Sequence, residues 1–158
     1  MSLYFDDLAI GQTFSAGPIV MEEARVVAFG QEFDPQPQHV GVLEATGSMF
    51  GELVASGWHT ASVTMRLMVG GASPNLTGGA MGAGIEGISW PTPVRPGDAL
   101  SATSEIVALR VSQSRPDRGI MKLKTVTTRA DGTVVQVLTG VIIVPRRTDP
   151  DALPGAVS

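Results

Sequence analysis

Residues 120–144 read IMKLKTVTTRADGTVVQVLTGVIIV, and this stretch decides the fold class. Lys122 and Lys124 alternate with apolar or hydroxyl-bearing residues, which is the pattern of a strand with one wet face and one buried face. Asp131-Gly132 separates two such runs, and Asp-Gly between alternating segments is a strong signal for a two-residue hairpin turn. We therefore predict two long antiparallel strands, over residues 120–129 and 133–144.

Further strands and a long loop precede this hairpin. Residues 85–90 predict a short strand that ends at Pro91, and residues 99–112 predict a long one after the turn at 96–98. With the hairpin they are expected to form a four-stranded antiparallel meander. Residues 70–87 contain seven of the nineteen glycines and no clear periodicity, so they are expected to be a loop.

Two helices are predicted in the first half of the chain. In residues 21–33 apolar residues recur at steps of three and four, and Asp34-Pro35 ends the run because the residue before proline avoids the helical region. Residues 57–69 form a second helix with Ser56 as its N-cap, and its few polar residues predict burial on most sides. An early strand, helices and the meander give an α+β fold with a curved antiparallel sheet around a central α-helix.

Composition excludes several classes of protein. The chain has 158 residues, about one domain's worth, so residues 1–158 are expected to be a single domain with a loosely ordered tail over 147–158. A formal net charge of −4 argues against nucleic acid as a partner. Cysteine is absent and only two histidines occur, so thiolate chemistry is excluded and a metal site is not expected.

The location is predicted from two missing signals. The first residues lack the basic region and apolar run of a secretion signal, and no run of about 18 apolar residues occurs. A cytoplasmic protein without membrane contact is therefore expected.

Residues 33–39 read FDPQPQH and are the most informative for chemistry. Asp34 and His39 are five residues apart in a predicted loop that two prolines stiffen, so they could hold one water molecule and exchange protons with it. The pKa of about 6.5 of an unperturbed histidine suits this work near neutral pH. The alternative is that Asp34 caps a turn while His39 bonds to the backbone, and the spacing alone favours this alternative.

Residues 55–60 read ASGWHT and begin the second helix. Gly57 in the first turn would let a ligand approach the backbone, where free N–H groups and the helix dipole favour an oxyanion. The alternatives are a simple N-cap at Ser56 and a packing role for Gly57. His59 lies in an apolar helix, where a histidine is more often structural than catalytic.

Together these segments resemble the MaoC-like dehydratase family of hotdog-fold proteins, which contains the (R)-specific enoyl-CoA hydratases. The family pattern has Asp, then Asn-Pro, then His at the fifth position after the Asp; Asp34, Pro37 and His39 match it, and Gln36 replaces the Asn. Ser56-Gly57 matches the start of the central helix. Further matches lie at residues 50–51, 93–98 and 114–119, and the resemblance covers residues 3–147.

The resemblance implies a hotdog fold, a homodimer or dimer of dimers, and a hydro-lyase that acts on an acyl-CoA thioester. Asp34 and His39 would be catalytic, the Gly57 N–H would meet the thioester oxygen, and Gln36 and Ser56 would contribute to substrate binding. No separate cofactor is implied, since coenzyme A is part of the substrate. Gln36, and Gln38 in place of an apolar residue, put the substrate preference in doubt.

Two other functions stay open. The hotdog fold also hosts acyl-CoA thioesterases, and the two glutamines are compatible with an acyl-CoA-binding module that has no catalytic activity. Residues 82–87, GAGIEG, fit the spacing of a dinucleotide-binding loop, but that motif needs a strand before it and a helix after it. Ile88 to Pro91 cannot open a helix, so we reject it.

Overall fold

A computed structural model describes residues 1–147. Within them, one five-stranded antiparallel sheet has the strand order β1-β3-β4-β5-β2. Its strands are β1 (Thr13–Val20), β2 (Met81–Ser89), β3 (Ala99–Val111), β4 (Arg118–Thr128) and β5 (Val134–Pro145), and the helices are α1 (Glu23–Phe33), α2 (Pro37–Val40), α3 (Val42–Ala45) and α4 (Gly57–Leu67). The expected tail lies, beyond Arg147, outside the described residues.

The predicted pairing of two long antiparallel strands is confirmed, but the predicted two-residue turn is wrong: the N–H of Arg129 donates to the carbonyl of Thr133 at 3.1 Å, so three residues, 130–132, lie between them. β4 and β5 pair antiparallel from Arg118 opposite Pro145 to Thr128 opposite Val134. Gly132 has φ +85° in the turn, a conformation that suits glycine. Met121 and Leu123 on one face of β4 are buried, whereas Lys124 on the opposite face of the same strand is exposed. One face of the sheet therefore packs against the core, and the other is exposed to solvent.

The predicted meander is wrong in one respect, the place of β2. This strand pairs with β5 at the edge of the sheet and makes no ladder with β3. The segment that follows it, residues 90–98, contains three prolines and carries the chain across to β3. Hydrophobic alternation marks a strand but does not choose its neighbour, and here the neighbour is not the next strand in sequence.

The predicted loop over residues 70–87 is also wrong in its second half. β2 begins at Met81 and includes glycines at 82, 84 and 87. Glycine is depleted in strands and has no side chain to show a period, so the pattern hid this strand. The GAGIEG segment lies inside β2, which confirms that it is not a dinucleotide-binding loop.

Helix α4 lies against the buried face of the sheet, as expected for the central helix. Its buried residues are His59, Thr60, Thr64 and Leu67. The prediction of burial on most sides is wrong within the described chain, because Trp58 is 58% exposed and Met65 is 53% exposed. No helix within residues 1–147 combines the length and the hydropathy needed to cross a membrane.

The interface between α4 and the sheet contains hydroxyl groups as well as apolar side chains. Thr64 Oγ1 and Thr127 Oγ1 are 2.8 Å apart, and Ser104 Oγ and Thr125 Oγ1 are 2.7 Å apart. These four residues are fully buried, so the pairing satisfies polar groups that would otherwise lose their water. Buried apolar residues such as Leu100 and Ile106 complete the core, each contributing roughly 1.5–3 kcal/mol by burial.

Candidate active site

The end of α1 and the short helix α2 place the acid and the imidazole. Asp34 is the residue after α1, and His39 is the third residue of α2. The segment was predicted to be a loop; it contains a helical turn instead, because Pro37 occupies the first helical position, where a missing N–H costs nothing. His39 is 6% exposed, so it belongs to the interior wall of the site.

Gly30 permits the close approach of α1 and α2. A side chain at this position would collide with the backbone carbonyl of His39. Gly30 is buried in α1, where glycine is otherwise unfavourable for a helix. Gly30 is not among the residues predicted from the sequence to matter for the site, although glycine in the middle of a helical pattern is a signal of close packing.

Asp34 and His39 lie side by side. His39 Nε2 is 3.4 Å from Asp34 Oδ2. His39 Nδ1 lies 2.7 Å from the carbonyl oxygen of Val54, which can only accept, so Nδ1 carries the proton and donates. In the neutral imidazole Nε2 is therefore the basic nitrogen, and it faces the carboxylate.

The carboxylate of Asp34 accepts hydrogen bonds at both oxygens. Ser56 Oγ donates to Oδ2 at 2.6 Å, and Gln36 Nε2 donates to Oδ1 at 2.7 Å. Burial raises the pKa of Asp34, but the hydrogen bonds from Ser56 and Gln36 outweigh it and hold the pKa below its ordinary value; a positive charge on His39, when its ring is protonated, acts in the same direction. Asp34 is therefore ionised at neutral pH.

The N-terminal turn of α4 leaves one backbone donor free beside this pair. Ser56 is the predicted N-cap: its Oγ accepts from the N–H of Trp58 at 3.3 Å, and its carbonyl accepts from His59 and Thr60. Within residues 1–147 the N–H of Gly57 has no hydrogen-bond partner. It is open to an acceptor, at the positive end of the helix dipole.

A cavity of about 400 Å³ lies beside His39 and Gly57, and Asp34 is not among the residues that line it. Its wall includes His39 and Gly57, and also Gln38, so the departure from the family pattern at that position faces the cavity. The other lining residues are Phe50, Val54, Ala55, Thr60, Trp90, Pro91, Thr92, Pro93, Val94 and Val135. A larger cavity of about 700 Å³ lies toward the other end of α4 and contains neither Asp34 nor His39.

His59 lies apart from this cavity. Its ring stacks on Phe29 of α1, with centroids 4.8 Å apart and planes 7° apart. Burial lowers the pKa of His59, and the charge of Arg25 lowers it further. Its Nδ1 is buried without a hydrogen-bond partner in the described residues. The structure thus places His59 as a neutral packing residue between two helices.

Several residues of the site are not predicted from the sequence. Trp90 and Thr60 line the cavity, and the carbonyl of Val54 fixes the tautomer of His39. The sequence predicts Trp90 only as the end of a strand, directly before Pro91. No three His, Asp or Glu side chains of residues 1–147 come together as candidate metal ligands.

An antiparallel sheet curved around one helix, with an acid and an imidazole near the first turn of that helix, defines a hotdog domain with a candidate acid–base site. Residues 7–129 match the family model described as MaoC like domain. The chain belongs to this family, and the predicted hotdog fold is confirmed.

Solved structures agree with this assignment. A MaoC-like dehydratase from Rhodospirillum rubrum is 46% identical, with a TM-score of 0.87 over 93% of this chain and 99% of that one. The (R)-hydratase from A. caviae involved in PHA biosynthesis is 25% identical, with a TM-score of 0.69 over 88% and 98%. Rv0216 of Mycobacterium tuberculosis, a double hotdog fold, is 20% identical, with a TM-score of 0.75 over 99% of this chain and 47% of that one, and shows the fold alone.

Proposed function

We propose that the protein is a hydro-lyase that adds water to a trans-2-enoyl-CoA, or removes it from an (R)-3-hydroxyacyl-CoA. The observation that carries this proposal is the pairing of His39 and Asp34, 3.4 Å apart, near the free N–H of Gly57. Membership of the MaoC-like family and similarity to an (R)-hydratase support hydratase or dehydratase chemistry.

The Gly57 N–H would act on the thioester oxygen. When water adds to the β-carbon of an enoyl thioester, negative charge develops on that oxygen as the enolate forms. A donor fixed at a helix N-terminus stabilises this charge without having to reorganise. Groups of this kind contribute factors of about 10²–10³ in rate.

Asp34 and His39 would handle the proton of the attacking water. The lowered pKa of Asp34 makes its carboxylate a weak base, whereas Nε2 of neutral His39 has a free lone pair. We assign proton removal to Nε2, with the Asp34 carboxylate orienting the water and stabilising the imidazolium. The hydroxide portion bonds to the β-carbon, and the imidazolium returns the proton to the α-carbon, so one water is consumed and the enzyme is regenerated.

Gln36 and Ser56 act on this chemistry through Asp34. Both side chains donate to its carboxylate, so they fix its orientation and keep it ionised. We assign them to positioning of the acid; direct contact of either residue with the substrate stays a prediction. The extra methylene of Gln36 relative to the usual Asn does not prevent the bond to Asp34.

Absorbance of the conjugated enoyl thioester tests the proposal. Crotonyl-CoA and longer trans-2-enoyl-CoA substrates should lose absorbance on addition of the protein. Replacing Asp34 by Asn or His39 by Ala should lower kcat by at least about 10². Full activity in both variants would contradict the assigned pair.

The same assay separates the alternatives. Thiol release from a saturated acyl-CoA, without any hydration, would identify a thioesterase. Binding of acyl-CoA without turnover at any chain length would identify a binding module. Hydration of crotonyl-CoA without thiol release is the outcome that we expect.

We also propose that the protein is a homodimer joined at β2. All residues of this edge strand except Ile88 are exposed, and Met81 and Ile85 are apolar. Within the described residues the outer edge of β2 pairs with no other strand, and such an edge is a template for pairing with a second copy. A dimer of dimers and a cytoplasmic location stay predictions.

A further inference from the structure

Trp90 lies directly over the first residue of α4. A methyl group placed on Gly57 would be 2.7 Å from Cδ2 and Cε2 of the indole, so ring and backbone are in contact. The indole also lines the cavity that contains Gly57 and His39. It therefore forms one wall of this cavity, next to the backbone of Gly57.

Gln136 of β5 holds the indole from inside the sheet. Trp90 Nε1 donates to Gln136 Oε1 at 2.9 Å. Gln136 is fully buried, and within residues 1–147 its Nε2 has no hydrogen-bond partner. A buried donor without a partner destabilises the fold, and an apolar side chain at this position would avoid that cost. The favourable interaction of the Gln136 amide that stands against this cost is its hydrogen bond to Trp90.

The other contacts of Trp90 cannot fix the ring as firmly. Trp58 meets it edge to face with centroids 5.4 Å apart, but Trp58 is 58% exposed. Trp90 itself is 38% exposed and follows the end of a strand at the sheet edge. Without the bond to Gln136 the ring could move away from Gly57 and let water reach the N–H.

We propose that Trp90 is a positioning residue, held by Gln136, that keeps water from the Gly57 N–H and shapes the adjoining cavity wall. This inference deepens the proposed function, since it assigns water exclusion at the site where the thioester oxygen would bind. A hydrogen bond to a developing oxyanion is stronger when bulk water is excluded. Trp90 would therefore act on the rate through the Gly57 donor.

Tryptophan fluorescence tests directly, without substrate, whether Gln136 keeps the ring of Trp90 in place. The chain contains two tryptophans, so Trp58→Phe leaves Trp90 as the sole emitter. Gln136→Met, which keeps the length of the side chain and removes the acceptor, should raise acrylamide quenching of Trp90, because loss of one such bond shifts an equilibrium about fivefold. Ser104→Ala is the matched control: it removes a buried hydroxyl from β3, away from Trp90, and should leave quenching unchanged.

Steady-state kinetics of variants that keep Trp58 test the consequence for the site. Gln136→Met and Trp90→Phe should each lower kcat/KM for the enoyl-CoA about fivefold to tenfold, and the double variant should lose no more than either single one. This lack of additivity is expected only if both residues act through one hydrogen bond. Additive losses, or unchanged kcat/KM in both variants, would overturn the positioning role.

The two measurements separate this inference from the proposed function. Raised quenching in a protein that hydrates no enoyl thioester would support the hold on Trp90 and remove the proposed function. Unchanged quenching in Gln136→Met, or an equal rise in Ser104→Ala, would show that Gln136 does not keep the ring of Trp90 in place, whether or not the protein hydrates enoyl thioesters. If Gln136→Met does not fold, Trp90→Phe removes the same bond from the other side, and unchanged kcat/KM in it would overturn the inference.

Discussion

At the scale of single residues, Ser56 has two functions that one substitution can separate. Its hydroxyl donates to Asp34 at 2.6 Å and accepts from the N–H of Trp58 at 3.3 Å. Ser56→Ala should cost about 1 kcal/mol of stability as a lost N-cap. It should also raise the pKa of Asp34, because a donor to the charged form is lost.

NMR titration of the Asp34 carboxyl measures the second effect. The pKa of Asp34 should be higher in Ser56→Ala than in the unchanged protein, and kcat/KM should fall roughly tenfold at neutral pH, since a bond to a charged group is removed. Ser62→Ala is the matched control, because Ser62 lies on the same helix and, within residues 1–147, its side chain bonds only to the carbonyl of Trp58. An unchanged pKa of Asp34 would show that Ser56 serves only as the cap.

Gly57 is the second residue at which a small change should have a large effect. Gly57→Ala would press a methyl group against the ring of Trp90, where no space is present. Overpacking of this kind costs about 1–3 kcal/mol, and displacement of the ring should also lower kcat/KM. Thermal unfolding and the enoyl-CoA assay measure the two losses. Gly70→Ala, where nothing lies within 4 Å, should be neutral in both, and a neutral Gly57→Ala would contradict the tight contact.

The sequence pointed to Asp34, His39 and Gly57 through the resemblance to the MaoC-like family, since the spacing alone favoured a structural role for Asp34 and His39. The structure brings Asp34 and His39 side by side, and their catalytic role stays a proposal. Trp90 and Gln136 could not be found in this way. They are 46 residues apart in sequence, and their bond depends on the pairing of β2 with β5, which alternation does not specify.

At the scale of elements, the stack of His59 on Phe29 connects α4 to α1, the helix that directly precedes Asp34. Burial lowers the pKa of His59 from an ordinary value of 6.5. Below about pH 6.5 the unfolded chain therefore binds a proton that the folded chain does not, so stability falls as pH decreases through this window. The slope is at most about 1.4 kcal/mol per pH unit for one such proton.

Urea unfolding at several pH values tests this prediction. The free energy of unfolding should fall between pH 7.5 and 5.5, and His59→Phe, which keeps an aromatic stack and cannot titrate, should reduce this fall. Between pH 7.5 and 8.5 the two proteins should show the same pH dependence. An equal fall below pH 6.5 in both would contradict the assignment to His59.

Element boundaries followed the strength of the local signals. β3, β4 and β5 were found because long alternating runs end at turn residues, and α1 ended at Asp34-Pro35 as predicted. β2 and α2 were not placed correctly, for opposite reasons. Glycine removes the side-chain pattern from β2, and α2 is only four residues long, too short for periodicity to show.

At the scale of the whole molecule, the central helix and the edge strand β2 both carry exposed apolar side chains. Trp58 and Met65 of α4 are more than half exposed, as are Met81 and Ile85 of β2. An isolated helix against a sheet would bury more of its apolar face than α4 does. The half-exposed central helix and the exposed edge strand are both explained if a second copy covers them.

Charge placed on β2 tests that arrangement. Ile85→Lys, alone or with Met81→Lys, should convert the proposed dimer to a monomer, because an edge strand that carries lysine resists pairing with another edge. Light scattering should then give the mass of one 16.4 kDa chain in place of two.

Ile10→Lys is the matched control: Ile10 is 64% exposed and precedes β1, the opposite edge of the sheet, so its charge should leave the dimer intact. Since Trp90 follows β2 directly, loss of the dimer should also lower kcat/KM for the enoyl-CoA. A dimer that persists in the double lysine variant would place the interface elsewhere.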